Sequence, residues 1–255
     1  MTSSPSPGRV ERYLGAQLAG GPIHFTLIDP DKSGGGRAAA VARGAEELGS
    51  HAILLGGSTG ISRDVMGEAA RAIRAAAKLP TIIFPEGAGS LTPDADAVLF
   101  MSLLNSRNLD LVIRTHARSA ATVRKMRLEA IPMGYLVVAP GMRVGEVGAV
   151  DPVAREDLAG ATGYALAAEL LGMRFVYLEA GSGAPAPVPT TMVRAVREEI
   201  RVPLIVGGGI RSGDEARALI EAGANVLVTG TITEEEGLGK SFHDILEEVG
   251  RARRH

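Results

Sequence analysis

Tyr177-Leu178-Glu179-Ala180-Gly181-Ser182-Gly183-Ala184 is an apolar run that ends in a carboxylate and opens into glycines. In a strand, alternate side chains share a face, so Phe175, Tyr177 and Glu179 point one way while Val176 and Leu178 point the other. The glycines that follow let backbone N–H groups approach an anion, because no Cβ intervenes and positive φ is accessible. The same grammar recurs at Leu204-Ile205-Val206-Gly207-Gly208-Gly209-Ile210 and at Val226-Leu227-Val228-Thr229-Gly230-Thr231. One such stop alone reads as a tight strand-to-helix turn. Three of them in the C-terminal third read as a phosphate-binding face.

Outward from this stretch, eight short buried-looking strands are predicted at 24–28, 52–55, 81–84, 97–100, 135–138, 174–178, 203–206 and 225–228. Helical patterns fall at 9–19, 37–48, 63–78, 154–171, 188–200, 214–222 and 241–252, several closed by a glycine C-cap. The glycine run 34–36 and the segment 140–152 read as loops, and 102–129 as a partly helical excursion whose charges coat a solvated face. Residues 85–96, between the third and fourth strands, contain Pro85, Gly87, Gly89 and Pro93, so the third crossover helix is expected to be missing or replaced.

This alternation suits a (β/α)8 TIM barrel, and a doubly wound open sheet also alternates. The phosphate grammar favours the barrel, which often holds phosphate in the loops after strands seven and eight. Residues 1–8 read as a disordered polar tail and 9–255 as a single domain.

With a formal net charge of −2 over 255 residues, the chain shows no nucleic-acid signature and no polybasic anchor beyond a frayed tail of Arg251, Arg253 and Arg254. Aromatic residues make up only 4%, so the core must be aliphatic and base-stacking platforms are not expected. The absence of cysteine excludes disulfides, thiolate metal sites and thiolate nucleophiles. There is neither a signal-peptide pattern nor an apolar run of transmembrane length, so a cytoplasmic protein is expected.

Glu179, at the C-terminal rim of a barrel strand, is placed to accept hydrogen bonds from a polyol hydroxyl, with Tyr177 adding a contact. Asp29 occupies the matching rim position after strand one. It suits Mg2+, which takes one or two protein oxygens and fills its shell with water and substrate phosphate, or else caps the next helix as an Asp-Pro turn, unless Asp31 is that cap. Ser58 either supplies a hydroxyl beside the same ion or N-caps a helix.

Ser212 and Glu215 have capping-box spacing, and that helix start favours a phosphate beside Gly208 and Gly209. Gly230 and Thr231 close the cradle. Among the histidines, His24 and His51 read as strand residues and His116 has no evident partner. None has zinc-ligand spacing, and no G-x-S-x-G supports a serine hydrolase.

Six motifs together resemble the geranylgeranylglyceryl phosphate synthases and their bacterial relatives, which are TIM-barrel prenyltransferases. They are HFTLIDPDK at 24–32, ILLGGSTG at 53–60, AVLFMSLLNSRN at 97–108, GMRFVYLEAGSGA at 172–184, LIVGGGIRS at 204–212 and VTGT at 228–231. The resemblance implies Mg2+-dependent transfer of a polyprenyl group, geranylgeranyl by expectation, from its diphosphate to the free primary hydroxyl of sn-glycerol 1-phosphate, and it implies a homo-oligomer. By motif it implies Asp29 and Ser58 at Mg2+. Tyr177, Leu178, Glu179, Ala180, Gly181, Ser182, Gly183, Gly208, Gly209, Gly230 and Thr231 would lie at glycerol phosphate.

Within that scheme Glu179, Tyr177 and Asp29 are the catalytic candidates, and Leu99, Met101, Leu103, Leu104 and Val137 are candidate walls for the prenyl tail. The chain departs from the family at Arg114-Thr115-His116, Arg118, Ala139 and Met142-Arg143. Two alternatives stay open: prenyl transfer to 3-phosphoglycerate, for which Arg143 or Arg114 would supply a cation, and a non-catalytic phosphate-binding barrel.

Overall fold

A computed structural model describes residues 6–56 and 60–254. Its strands are β1 Ile23–Ile28, β2 Ala52–Gly56, β3 Thr81–Phe84, β4 Ala97–Leu103, β5 Glu129–Val137, β6 Phe175–Glu179, β7 Leu204–Gly207 and β8 Val226–Thr229. All neighbours pair in parallel, and β8 returns to pair with β1, so the sheet is a closed barrel and not an open doubly wound sheet. The helices are α1 Arg9–Leu18, α2 Pro30–Glu47, α3 Arg63–Ala76, α4 Thr115–Met126, α5 Met142–Val147, α6 Leu158–Leu170, α7 Thr190–Glu199, α8 Gly213–Glu221, α9 Thr231–Glu235 and α10 Lys240–Ala252. Between β3 and β4 the missing crossover helix is replaced by a single 3-10 turn, Ala88–Ser90.

Strand alternation divides the core into two layers. Phe25, Leu54, Tyr135 and Tyr177 fill the barrel, while Ile53, Ile83, Val176 and Leu178 pack outward against the helices. The helix layer is close because α2 presents Ala38, Ala42 and Ala45, all fully buried. Val10 and Leu14 of α1 join the inner cluster and plug the N-terminal end of the barrel. That plug is fastened by the Glu129 carboxylate, which accepts the Val10 and Glu11 N–H groups at 2.7 and 2.8 Å.

Several elements differ from the sequence reading. β5 starts at Glu129 and pairs with β4 from Ala97↔Glu129 to Leu103↔Tyr135. Glu129 and Pro132 hide this first half from an apolar-run reading. The glycines 34–36 lie within α2, which starts at Pro30 because the Asp29 side chain accepts the Asp31 N–H, and the run survives as a kink at Gly34. The loop 140–152 contains α5, and α9 follows β8; both are too short to show periodicity.

His51 precedes β2 and uses Nδ1 to accept the His24 N–H at 3.4 Å. Of the expected tail, the Pro7 carbonyl accepts from Arg12 at 2.6 Å and Gly8 lies against Glu129. Residues 1–5 lie outside the described residues.

Candidate active site

β6 delivers Glu179 to the C-terminal rim of the barrel, where it is 7% exposed. Its Oε1 accepts the Gly181 N–H at 2.7 Å and its Oε2 accepts the Tyr135 hydroxyl at 3.1 Å. The Tyr177 hydroxyl bonds the same carboxylate. Burial pushes the Glu179 carboxyl above the usual carboxylate range, and these three hydrogen bonds pull against that shift without cancelling it. Burial beside a carboxylate raises both tyrosines, so they remain hydroxyl donors. The rings of Tyr135 and Tyr177 stand 4.9 Å apart, and Phe84 meets Tyr135 edge-on at 5.6 Å, which fixes the carboxylate's floor.

Beside Glu179 lies a small cradle of about 40 Å³, formed by the turns after β6, β7 and β8. Gly208 sits at φ +80°, and a Cβ there would stand 2.2 Å from Glu179 Oε1, so only glycine allows this turn to close on the carboxylate. Ser182 and Thr231 join their hydroxyls at 2.8 Å, tying the β6 turn to the β8 turn. Tyr177, Glu179, Ser182, Gly183, Gly208, Gly209, Gly230 and Thr231 line the cradle together, whereas Leu178 and Ala180 pack into the outer core and Gly181 is not in its lining.

The start of α8 departs from expectation. Its capping box is present, but the Glu215 carboxylate accepts the Arg211 and Ser212 N–H groups at 2.7 and 3.1 Å. Those two N–H groups, and that of Glu215, which donates to Ser212 Oγ at 3.3 Å, are engaged locally, and no residue from Ser212 to Glu215 lines the cradle. The glycine turns, not the helix, make the cradle.

A larger, mostly apolar cavity of about 320 Å³ opens from the other side of Glu179. Leu99, Met101 and Leu103 line it from the inward face of β4, and Val98 and Phe100 from the outward face. It continues to Ser119 and Val123 of α4, so it fills the space left where β3 and β4 lack a crossover helix. Leu104 and Val137, also expected as walls, pack into the core instead. His116 does have a partner: its Nε2–H donates to the Met101 carbonyl at 2.7 Å, and its ring meets Phe100 edge-on.

Asp29 is 4% exposed and lines the same cavity. Its Oδ1 also accepts the Asp31 N–H at 3.1 Å, so it is the cap of α2 while facing the cavity. Glu86, which follows β3 and lines the same cavity, accepts the Gly60 N–H at 2.6 Å and the Ile61 N–H at 3.0 Å. Ser58 lies outside the described residues. Arg143 lines the larger cavity, whereas Arg114 lines neither.

Leu27, Tyr177, Glu179 and Ser182 belong to both cavities, so one wall faces a small glycine-lined cradle on one side and an apolar groove on the other. A model of the PcrB family matches residues 17–250. The chain belongs to the PcrB family. Geranylgeranylglyceryl phosphate synthase from Pyrococcus furiosus is 48% identical over 96% of this chain and 97% of that one. The protein of the same name from Pyrococcus horikoshii is 50% identical over 89% of this chain and 90% of its own length. A crystal structure of (S)-3-O-geranylgeranylglyceryl phosphate synthase from Thermoplasma acidophilum, in complex with substrate sn-glycerol-1-phosphate, matches with a TM-score of 0.92 at 43% identity. That match covers 96% of this chain and 100% of the other.

This PcrB-family chain is an enzyme, a prenyltransferase. The alternative of a non-catalytic phosphate-binding barrel is thereby set aside. Sequence reading of the PcrB-family site missed Tyr135, Phe84 and Ser119. Tyr135 carried a usable signal, because inward alternation on its strand puts it on the same face as Val137, and the register sets it beside Tyr177. Ser119 carried none, since its place depends on how α4 packs over the gap.

Proposed function

We propose that the chain transfers a polyprenyl group, geranylgeranyl in the first instance, from its diphosphate to the free primary hydroxyl of sn-glycerol 1-phosphate, with Mg2+. The observation that carries this reading is the shared wall. Glycerol phosphate held by the glycine turns presents its far hydroxyl over Glu179, and a prenyl tail laid in the groove brings its first carbon to the same place. A C–O bond forms between that hydroxyl oxygen and the prenyl carbon, the carbon–diphosphate bond breaks, and diphosphate leaves with the electron pair. The hydroxyl proton passes to the Glu179 carboxylate, whose raised pKa suits a proton acceptor. Tyr135 and Tyr177 aim that carboxylate.

The residues present fit Mg2+. Asp29 gives a buried hard carboxylate facing the apolar groove's inner end, and an ion with one or two protein oxygens plus diphosphate is the usual arrangement. Asp29, with Ser58 by family motif, would hold it. When bound, it would neutralise charge developing on the leaving diphosphate. Among the described residues no group of three or more His, Asp or Glu is placed to hold a metal ion.

Against 3-phosphoglycerate as acceptor, the cradle's lining cation is Arg211, already paired with Glu235 at 3.1 Å, while Arg143 and Arg114 lie elsewhere. We place the reaction in the cytoplasm with peripheral lipid contact for product release. No helix among the described residues is long and apolar enough to cross a membrane. A homo-oligomer is proposed as well, supported by Leu170 and Leu171, which stand 85% and 75% exposed at the end of α6.

The experiment is product formation from geranylgeranyl and farnesyl diphosphates, each offered with sn-glycerol 1-phosphate or 3-phosphoglycerate, with Mg2+ and then with chelator. Ether formation on glycerol phosphate that stops with chelator is expected. Transfer only to 3-phosphoglycerate, or transfer indifferent to chelator, overturns the corresponding part.

A further inference from the structure

Behind the cradle the barrel wall carries a buried, hydrogen-bonded polar cluster, larger than the single polar positions Thr81 of β3 and Ser102 of β4. The outward positions of β6 and β7 are Val176, Leu178, Leu204 and Val206, all buried against helices. On β1 and β8 the outward positions include His24, Thr26 and Thr229, which with Ser50 form a buried cluster at 0%, 0%, 4% and 5% exposure, respectively. His24 Nε2 lies 2.9 Å from Thr229 Oγ1, and Nδ1 lies 3.1 Å from Ser50 Oγ. Thr26 donates to Ser50 Oγ at 3.0 Å, and Ser50 Oγ donates to the His24 carbonyl at 3.2 Å.

Both ring nitrogens are thus engaged, Nδ1 with the Ser50 hydroxyl and Nε2 with the Thr229 hydroxyl, each of which can donate or accept. Phe242 of α10 holds the ring edge-on at 5.6 Å.

We propose that His24 is a positioning residue for the phosphate cradle, holding the Thr229 hydroxyl and through it the Gly230-Thr231 turn. Thr229 is the last residue of β8, and at Gly230 the backbone leaves the strand with φ −136° and ψ −59°. The turn is held from three sides. His24 fixes Thr229 from behind, the Gly230 carbonyl accepts the Thr233 N–H at 2.9 Å, and Ser182 bonds Thr231 across the cradle at 2.8 Å.

A purely structural role would be met by an aliphatic side chain, as on β6 and β7, without the cost of burying four polar groups. Here four polar groups are joined in one network that ends at the β8 turn of the cradle, which suits placement. The identity of the phosphate ligand rests on the proposed function; the positioning does not.

The test measures binding of inorganic phosphate and sn-glycerol 1-phosphate by calorimetry, with steady-state KM for each substrate and the melting temperature. His24→Phe and Thr229→Val are expected to weaken both phosphates about tenfold, about 1.4 kcal/mol. KM for the polyprenyl diphosphate should stay within about twofold, and Thr229→Ser should restore phosphate binding. If wild type binds neither phosphate, the cradle reading itself fails and takes this inference with it. If wild type binds but the variants match it while melting lower, His24 is structural only and the inference alone is overturned. Thr229→Val, nearly isosteric, decides the matter should His24→Phe not fold; equal KM rises for both substrates would also overturn positioning.

Discussion

Tyr135 and Glu179 sit on adjacent strands, and the tyrosine hydroxyl donates to Glu179 Oε2 at 3.1 Å inside the barrel. This bond aims a buried carboxylate and partly offsets the rise that burial imposes on its pKa. Tyr135→Phe removes the donor and leaves the ring, so kcat is expected to fall about 10- to 100-fold, the equivalent of a buried hydrogen bond of roughly 1–3 kcal/mol. The acid limb of the pH–rate profile should move to higher pH. Unchanged kcat and an unchanged limb would remove Tyr135 from the site.

Gly208 abuts the same carboxylate from β7. Gly208→Ala introduces a Cβ 2.2 Å from Glu179 Oε1 at φ +80°, and the left-handed backbone alone costs about 1–2 kcal/mol. KM for the phosphate acceptor is expected to rise about tenfold or more with the melting temperature lowered by several degrees. Acceptor kinetics equal to wild type would show that the cradle tolerates a displaced Glu179.

Ser119 and Val123 bound the groove where α4 crosses the gap beside β4. Ser119→Phe fills that end with a ring and is expected to cut kcat/KM for a 20-carbon diphosphate at least about tenfold relative to a 10-carbon one, leaving acceptor KM unaltered. Competition between the two donors reads this directly. A tail preference that does not shift would mean the tail runs elsewhere.

Burial lowers His24 to about 3 and His51 to about 4, from an ordinary 6.5. Folded, both stay neutral while the unfolded chain takes up protons, so the stability they contribute is present above pH 6.5 and is lost as pH falls toward those values. Unfolding near pH 5 is expected to take up about two protons from this pair, seen as a urea midpoint that drops on acidification, with the drop shallower in His24→Phe. Glu179 has the opposite sign: raised when folded, it contributes most below its ordinary 4.5 and loses that contribution as pH rises. Glu179→Gln is therefore expected to melt above wild type at pH 8 and to converge with it near pH 4, while losing activity. Parallel pH–stability curves would contradict both assignments.

Much of this was legible along the chain because it is local. The alternation of β6 put Tyr177 and Glu179 on one face, and Pro85, Gly87, Gly89 and Pro93 left no room for a crossover helix. What escaped depends on pairing. Glu129 looks like a strand breaker until its carboxylate is seen to cap α1, and Pro132 hides within the same strand. Tyr135 joins the site through its register with Tyr177, which no single segment reveals. The spacing of Ser212 and Glu215 marked a capping box correctly, but did not tell that the Glu215 carboxylate would also take the Arg211 N–H.

The single turn that replaces a helix between β3 and β4 bears on how such an enzyme changes over evolutionary time. The far end of the groove is made by α4 outside the barrel, whereas the cradle is made by turns at the ends of β6, β7 and β8. Substitutions in one region need not be compensated in the other. On the proposed function, the far end of the groove and the cradle would therefore be free to change independently over evolutionary time.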